Sequence, residues 1–474
     1  MVFNSVYFLI FFLIFFFAYW AINNKFSIAI RNLFIIISSC FFYGLWDWRF
    51  LSLIIISSAT DYFTGYLLSR TTQKLYRKGL LISSIVINIG ILGFFKYFNF
   101  FIDSLNELLL IFSMKINITT LKVILPVGIS FYTFQTLSYT IDVYKKRMEA
   151  TTDFFSFFAF VSFFPQLVAG PIERASHLLK QFQIRKKFSY DLSVSGLRLI
   201  LWGLFKKIVI ADNFGVLTDR IFEQEAVIPG ISVIVGAIFF ALQIYADFSG
   251  YSDIAIGISK MLGFDLMVNF STPYFAKSFG DFWRRWHISL SIWFRDYVYI
   301  PLGGNRTGNL RTHFNIFITF FLSGLWHGAN VTFIIWGGLH GLALIIDKQI
   351  NNKISSYIYT PFVLIIVVLL WIPFRAENIS HLINLGEALI NLKNYSFGHL
   401  SHIIIEFSRI RFYFLCLVVI IFLLLEYNMS LNDFNTWIYK KSRPARILIY
   451  YFLIFAIILI GNYSVKPSFI YFQF

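Results

Sequence analysis

Two histidines in tryptophan-rich segments are the residues of this chain best suited to chemistry. His287 ends residues 282–287 (Phe-Trp-Arg-Arg-Trp-His), and His327 lies forty residues later in residues 325–329 (Leu-Trp-His-Gly-Ala). Ionisable side chains are costly in apolar segments and occur there mainly where they have a function. An imidazole transfers protons near neutral pH, a step typically worth ~10²–10⁴ in rate. The pair predicts a catalytic site within a membrane, and a histidine buried only for packing is the alternative for each residue.

Polar and aromatic neighbours of the two histidines are the candidate substrate contacts. An arginine pair binds phosphate or carboxylate groups through two parallel hydrogen bonds, and tryptophan supplies a flat apolar wall. The alternative is that arginine and tryptophan only anchor the segment at the membrane interface. The predicted contacts are Arg284, Arg285, Trp286, Trp326 and Asn330.

Other ionisable residues are weaker candidates. Asp247 and Asp253 are six residues apart, which places them on different faces of a helix, so a paired acid–base site is not expected. Asp247 is expected to have a structural role, by capping a segment or orienting a histidine. His340 would share a cavity with His327 only if a turn lies between them. Glu426 near the end of a span is expected to extend to the interface.

The composition indicates an all-α polytopic membrane protein. The 474 residues are 58% hydrophobic and 14% charged, with a mean hydropathy of +0.71, whereas soluble domains are ~25% charged. The net charge of +16 comes from basic clusters between apolar runs, which indicates topology and contact with anionic lipid rather than nucleic acid. Two cysteines, Cys40 and Cys416, provide neither a disulfide framework nor a metal site.

Roughly a dozen transmembrane helices are predicted, because a bilayer crossing takes ~20 apolar residues. The first is expected to be an uncleaved span, since no basic residue precedes it and it has no clear cleavage site. Its N-terminus is expected outside, because Lys25 and Arg31 follow the span. The single integral-membrane domain divides by role into packing helices 1–118, a catalytic core 119–350, and C-terminal helices with a tail 351–474. The candidate spans are residues 3–22, 28–46, 50–68, 79–95, 119–141, 193–212, 230–248, 312–330, 331–349, 357–374, 409–427 and 445–463.

Two apolar segments do not read as simple spans. Basic residues flank residues 153–169 on both sides, which predicts a segment that enters and leaves the membrane on one side. Residues 252–300 are interrupted by glycine and proline and contain several arginines. Irregular backbone at membrane depth is tolerated only where protein or a water-filled cavity surrounds it. We therefore expect re-entrant segments around a central cavity.

The order of the motifs resembles that of the membrane-bound O-acyltransferase superfamily. The resemblance covers about residues 126–340 and the C-terminal hexapeptide 469–474. Its matching pieces are residues 165–171, 247–253, 282–287, 294–304 and 325–329. His287 and the Tyr-Ile-Pro-Leu-Gly-Gly stretch at residues 299–304 look like the bacterial branch, which includes alginate and peptidoglycan O-acetylation proteins and the teichoic acid D-alanylation protein.

The resemblance implies roles for individual residues. His327 corresponds to the essential histidine of the family, and His287 corresponds to the second motif position. Tyr471 in the tail corresponds to a residue proposed as a transient acyl carrier in the acetylation proteins. The D-alanylation protein ends without such a tail, so the tail favours acetylation. Ala246 and Val331 replace residues that are usually larger and aromatic.

The resemblance further implies a substrate, partners and a location. The expected fold is that of the superfamily, and the expected reaction moves an acetyl group from a cytoplasmic donor such as acetyl-CoA, used as a substrate with no bound cofactor. A periplasmic SGNH-type O-acetyltransferase would then esterify a cell-envelope glycan, with peptidoglycan as first choice. Alginate or another exopolysaccharide and teichoic acid D-alanylation are alternatives, and an acyl or lipid transporter is the alternative of another class. The expected location is the bacterial cytoplasmic membrane.

Overall fold

The chain forms helices throughout the part that the structure describes. The computed structural model describes residues 2–112, 121, 123–167, 170–222, 228–306, 308–350, 353–391, 395–429, 433–463 and 469–470, and these ranges contain no β-strand. By their contacts the residues form two compact units, Phe3–Ser193 with Ile258–Met267, and Val194–Gly257 with Val268–Phe474. The division by role at residues 118/119 and 350/351 stays a prediction.

Nine of the described helices belong to the first unit. They are α1 (Val6–Lys25), α2 (Ile28–Asp47), α3 (Leu51–Arg70), α4 (Lys74–Leu92), α5 (Phe98–Ile111), α6 (Ile129–Tyr144), α7 (Phe154–Ser162), α8 (Phe164–Leu167) and α9 (Ala175–Phe182). A 3₁₀ turn, Trp48–Phe50, separates α2 from α3, and a π-helical turn, Gly93–Tyr97, joins α4 to α5.

The remaining described helices lie mostly in the second unit. They are α10 (Tyr190–Leu204), α11 (Asp212–Phe222), α12 (Gly230–Met261), α13 (Phe279–Arg285), α14 (Ile288–Phe294), α15 (Asn309–His327), α16 (Val331–Ile350), α17 (Ser356–Leu369), α18 (Trp371–Arg375), α19 (Ile379–Ile390), α20 (Gly398–Phe407), α21 (Arg409–Met429), α22 (Phe434–Tyr439) and α23 (Arg443–Ile460). The π-helical turns Phe205–Ala211 and Arg295–Tyr299 follow α10 and α14.

Eight helical segments among the described residues are long and apolar enough to cross a membrane, which confirms the all-α polytopic class. They are Val6–Lys25, Ile28–Arg70, Lys74–Leu110, Gly230–Met261, Val331–Ile350, Ser356–Arg375, Arg409–Met429 and Arg443–Ile460. One of these, Ile28–Arg70, contains both α2 and α3.

The span predicted for residues 119–141 is wrong at its start. Helix α6 begins only at Ile129, after Pro126 and after Gly128, whose φ of 75° lies in the left-handed region. Proline and a left-handed glycine both interrupt an α-helix, and residues 113–120 and 122 lie outside the described part. The resulting helix has 16 residues, and nearly all of them are buried.

The segment from α7 to α9 enters and returns beside one helix, as the prediction for residues 153–169 requires. Asn32 of α2 donates to the Ser156 hydroxyl at 3.0 Å and to the Phe182 carbonyl at 3.1 Å, so both ends of the segment lie at the start of α2. The deepest contact is the Phe164 amide on the Ser39 hydroxyl, at 3.2 Å. Asn32 and Ser39 are ~10 Å apart along the helix axis, against a hydrocarbon core of ~30 Å. The segment therefore runs beside about two turns of α2 and comes back to the start of that helix. Its entry into the membrane stays a prediction, and residues 168–169 lie outside the described part.

Candidate active site

His327 is the last residue of α15 and is positioned by the hairpin that α15 forms with α16. The two helices approach closely because Gly324 and Gly337 face each other. A Cβ on Gly324 would lie 3.1 Å from the Gly337 Cα, and a Cβ on Gly337 would lie 3.0 Å from the Gly324 Cα. A Cβ on either glycine would also clash with a backbone carbonyl oxygen, that of Phe333 for Gly324 and that of Phe320 for Gly337, so only glycine permits this approach. The hairpin then presents His327 at its turn, with 3% of the residue exposed.

His287 lies in a turn between α13 and α14 that is held by hydrogen bonds. Its φ of 42° and ψ of 55° are left-handed, a conformation that costs non-glycine residues roughly 1–2 kcal/mol. Asn269 fixes this turn: its carbonyl accepts from the Ile288 amide at 2.9 Å and its Oδ1 accepts from the Ser289 hydroxyl at 2.7 Å. Asn269 in turn donates to the Ser252 hydroxyl on α12 at 3.2 Å. Sequence reasoning missed Asn269, since nothing in its local pattern marks it.

The two histidines meet in one buried cluster. Their ring centroids are 6.3 Å apart, and His287 is fully buried. The Trp326 ring lies 5.9 Å from His287 and 5.0 Å from His327. With hydrogen bonds of ~2.9 Å, one oxygen atom can contact both imidazoles at this separation. The arrangement is therefore suited to removing a proton from a hydroxyl group and stabilising the charge that develops on a neighbouring oxygen.

His340 belongs to the same cluster. The turn at residues 328–330 reverses the chain, and Trp336 lies between the two rings, 5.0 Å from His327 and 4.9 Å from His340. The Trp283 ring is 5.0 Å from His340 on another side. His340 is fully buried, and its ring nitrogens have no hydrogen-bond partner within the described part of the chain. The sequence analysis required a turn between His327 and His340 for the two residues to lie together, and the structure contains that turn.

The predicted substrate contacts fall into different positions. Trp326 lies against both histidines, whereas Trp286 is buried with its ring 4.9 Å from Trp371. Arg285 pairs with Asp281 at 3.0 Å, and Arg284 pairs with the same carboxylate at 3.6 Å with 72% of its side chain exposed. The two arginine charges are thus already partly compensated within α13.

Asn330 acts as the N-terminal cap of α16. Its Oδ1 accepts from the Thr332 amide at 3.0 Å, and its Nδ2 donates to the Glu377 carbonyl at 2.5 Å. An asparagine cap satisfies an amide that has no partner inside the helix. A role for Asn330 in substrate binding stays a prediction, beside this structural one.

Two residues of the C-terminal tail lie next to the cluster. The Phe469 ring is 5.7 Å from Phe248, and Phe248 is 4.6 Å from His287. The amide of Ile470 donates to the Asp247 carboxylate at 2.7 Å. Tyr471, the predicted acyl carrier, lies outside the described residues. The tail therefore reaches the neighbourhood of His287 at the last residues that can be described.

An ion network on α12 holds the carboxylate that binds the tail. The Lys207 ammonium pairs with Asp247 at 2.8 Å and with Asp212 at 2.8 Å, while Lys206 pairs with Asp253 at 2.7 Å. The two lysines lie in the π-helical turn Phe205–Ala211, and both are almost completely buried. Asp247 was expected to cap a segment or orient a histidine, and its observed partners are instead a tail amide and a lysine.

The expectation for Glu426 was wrong. Its carboxylate is buried and accepts from the Tyr245 hydroxyl at 2.6 Å, so it does not extend to an interface. The sequence placed it correctly near the end of a span but could not show that Tyr245 from α12 packs against that end.

Both histidines lie within a match to a known protein family. The model of the MBOAT, membrane-bound O-acyltransferase family, matches residues 149–372, which include both histidines. The probable alginate O-acetylase of Pseudomonas aeruginosa is 39% identical over 411 residues, covering 85% of this chain and 77% of that protein. The peptidoglycan O-acetyltransferase of Helicobacter pylori is 34% identical over 493 residues, covering 94% of this chain and 91% of that protein.

A more distant relative is named for another activity. The teichoic acid D-alanyltransferase of Bacillus subtilis is 29% identical over 246 residues, covering 49% of this chain and 62% of that protein. The extent and identity of the acetylase matches, together with two histidines in one buried cluster, establish that this chain is a multi-pass membrane acyltransferase and belongs to the membrane-bound O-acyltransferase family.

Proposed function

We propose that the protein takes an acetyl group from a cytoplasmic donor such as acetyl-CoA and passes it through the membrane for O-acetylation of a cell-envelope glycan. The observation that carries the proposal is the meeting of His287 and His327, 6.3 Å apart, beside the docked tail residue Phe469. The site thus combines a proton acceptor, a second imidazole and a nearby chain end. The protein would act in the bacterial cytoplasmic membrane.

His327 is the proposed general base. It removes the proton of an attacking hydroxyl, so that a C–O bond forms to the acetyl carbonyl and the C–S bond of the donor thioester breaks. The proton passes from His327 to the leaving thiolate. His287 has a supporting role: it orients the donor or acceptor and can donate a hydrogen bond to the carbonyl oxygen as negative charge develops there.

Tyr471 is the proposed first acceptor. It follows Ile470, whose amide is held by Asp247, and one residue of extended chain spans only ~3.5 Å. The tyrosine hydroxyl has an ordinary pKa of about 10 and is a weak nucleophile without a base. A phenyl ester is more reactive than an alkyl ester, so an acetylated Tyr471 could pass its acetyl group to a serine of a periplasmic SGNH-type partner.

The final acceptor is proposed to be peptidoglycan, with an exopolysaccharide as the second candidate. The Helicobacter pylori relative named as a peptidoglycan O-acetyltransferase is matched over 91% of its own length, and this supports the first. The probable alginate O-acetylase of Pseudomonas putida is 37% identical and is matched over 90% of its length, and this supports the second. D-alanylation has weaker support, because the relatives of that name match about half of this chain.

Deletion and complementation in the source bacterium test the proposal. Base-labile acetate is measured separately in purified sacculi and in secreted polysaccharide, for the deletion strain carrying the wild-type protein or the His327→Ala variant. The proposal expects acetate in sacculi with the wild type and none with the variant, at equal amounts of protein in the membrane. Loss of acetate from the secreted polysaccharide alone would indicate that the exopolysaccharide, and not peptidoglycan, is the acceptor. Full acetylation with His327→Ala would contradict the enzymatic role and favour transport by another route.

A further inference from the structure

A basic pocket lies in the first unit, which does not include the histidine cluster. It has a volume of about 940 Å³ and lies between the α3–α4 turn and the end of α6. Four cations line it, Lys74, Arg77, Lys146 and Arg147, against one carboxylate, Glu149. Ligand pockets typically measure ~300–1,000 Å³, so the volume suits a sizeable headgroup.

Part of the positive charge that lines the pocket has no carboxylate partner in the described part of the chain. Arg77 is engaged, since its guanidinium donates to the carbonyls of Thr71 at 3.2 Å and Tyr144 at 3.0 Å. Arg147 lies 3.6 Å from Asp142, with 46% of its side chain exposed. Lys74 and Lys146 form no ion pair within the described part of the chain. Two ammonium groups therefore face an open pocket without a carboxylate partner.

The backbone conformation of Lys146 singles it out. Helix α6 ends in a Schellman motif: the Lys146 amide donates to the Val143 carbonyl at 3.1 Å and the Arg147 amide donates to the Asp142 carbonyl at 2.8 Å. The motif requires a left-handed residue, normally glycine, at the position that Lys146 occupies with a φ of 57°. A lysine there is strained, and such strain persists mainly at functional positions.

The pocket lies at one membrane surface. Helices α3 and α4 are apolar spans, so the turn between them, next to Lys74, is at the level of lipid headgroups. The start of α2 and the C-terminal half of α3 lie on the same side, because α7 contacts Asn32 through Ser156 and Tyr62 through Phe157, at a ring distance of 5.7 Å. Lysine and arginine concentrate on this side, which the positive-inside rule assigns to the cytoplasm.

We propose that this pocket binds the phosphate headgroup of an anionic phospholipid of the cytoplasmic leaflet, with Lys74 and Lys146 as the principal cations. Apolar side chains of Leu68, Val143 and Met148 also line the pocket, beside polar residues such as Ser69 and Thr72, and this mixture matches the boundary between headgroup and acyl chain. Basic pockets between membrane helices on the cytoplasmic side are suited to such lipids. The two cations and the volume fit a headgroup with two phosphates, such as that of cardiolipin.

The strain at Lys146 provides a variant that separates lipid binding from folding. Lys146→Gly removes one ammonium and relieves the left-handed strain, so the lipid-free protein should melt at an equal or higher temperature. Ser408→Gly is the matched control, because Ser408 has a φ of 83° and lies outside the pocket. Lys440→Gln controls for loss of one exposed basic charge elsewhere.

The experiment measures the thermal unfolding of the purified full-length protein in detergent, with and without cardiolipin, phosphatidylethanolamine or coenzyme A. Cardiolipin should raise the midpoint by several degrees, and phosphatidylethanolamine should not. Lys146→Gly should lose at least half of that rise, while Ser408→Gly and Lys440→Gln should keep it.

Three outcomes would overturn the proposal. The first is a full cardiolipin shift in the double variant that carries both Lys146→Gly and Lys74→Gln. The second is a loss of the cardiolipin shift in Lys440→Gln equal to the loss in Lys146→Gly, which would indicate a general effect of charge. In the third, coenzyme A reproduces the shift and cardiolipin does not, so that the pocket would bind a soluble phosphate rather than a lipid.

Discussion

The docking of the C-terminal tail depends on one carboxylate. Asp247 accepts the Ile470 amide at 2.7 Å in a buried setting, and hydrogen bonds to charged groups are worth ~1.5–3 kcal/mol. Asp247→Leu removes this acceptor, so the docked population relative to the free tail should fall roughly 10- to 150-fold. Asp247→Asn keeps a neutral acceptor and should have a smaller effect. If Tyr471 carries the acetyl group, transfer should fall in the same order.

Accessibility of a cysteine placed at residue 470 measures docking directly. Ile470 is 3% exposed, so Ile470→Cys should react slowly with a maleimide when the tail is docked. The measurement uses a background in which Cys40 and Cys416 are replaced by alanine. Adding Asp247→Leu should speed labelling by at least tenfold.

The control is Asp253→Asn, which breaks the pair with Lys206 at 2.7 Å on the same helix and leaves the Asp247 carboxylate that accepts the Ile470 amide in place. This variant shows how the loss of a lysine–aspartate pair in α12 affects labelling, and the thiol introduced at residue 470 should still react slowly with the maleimide. Slow labelling and full acetylation in Asp247→Leu would refute the reasoning. Fast labelling with full acetylation in Asp247→Leu would support the docking contact but show that acetyl transfer does not depend on it.

Three further perturbations have distinct expected results. His287→Gly should accumulate better than His287→Ala, because glycine adopts the left-handed turn without strain. Both variants should lack acetyl transfer. Activity in the glycine variant would show that the imidazole is not needed and that only the backbone conformation at this position matters. Gly337→Ala should separate α15 from α16, lower the melting temperature and abolish activity, and normal melting would contradict the packing argument. Hydrogen bonds to Asp265 and Glu173 raise the pKa of His177 to about 10, above ~6.5 in the unfolded chain. This stabilisation is fully present below about pH 6.5 and is lost as pH rises through about 10, so His177→Gln should flatten the pH dependence of melting in that window.

The local motifs located the two histidines of the proposed site but not all of their surroundings. His287 and His327 stand out because each is an ionisable residue in a tryptophan-rich apolar stretch. Asn269, Trp336 and His340 join them only through a turn and a close helix pair, and such contacts have no local signature. The turn after His327 was within reach of the sequence, since Gly328 follows it directly.

The fold was predictable where hydropathy alone decides it. Apolar runs located most spans, whereas the re-entrant character of residues 153–169, inferred from their basic flanks, stays a prediction. Pro126 and Gly128 shortened α6, and their effect on the helix start could have been recognised. The ion pairs of Lys206 and Lys207 could not, because their partners Asp253 and Asp247 lie on a different helix, far along the chain.

The most direct test of the central claim is transfer of labelled acetyl from acetyl-CoA onto the protein itself, in proteoliposomes without a partner. The wild type should acquire base-labile label, and mass spectrometry should locate it at Tyr471. His327→Ala should acquire none, although the same amount of protein is reconstituted, and Tyr471→Phe should also remain unlabelled. Label at the wild-type rate in His327→Ala would contradict the proposed role of the histidine cluster in acyl transfer.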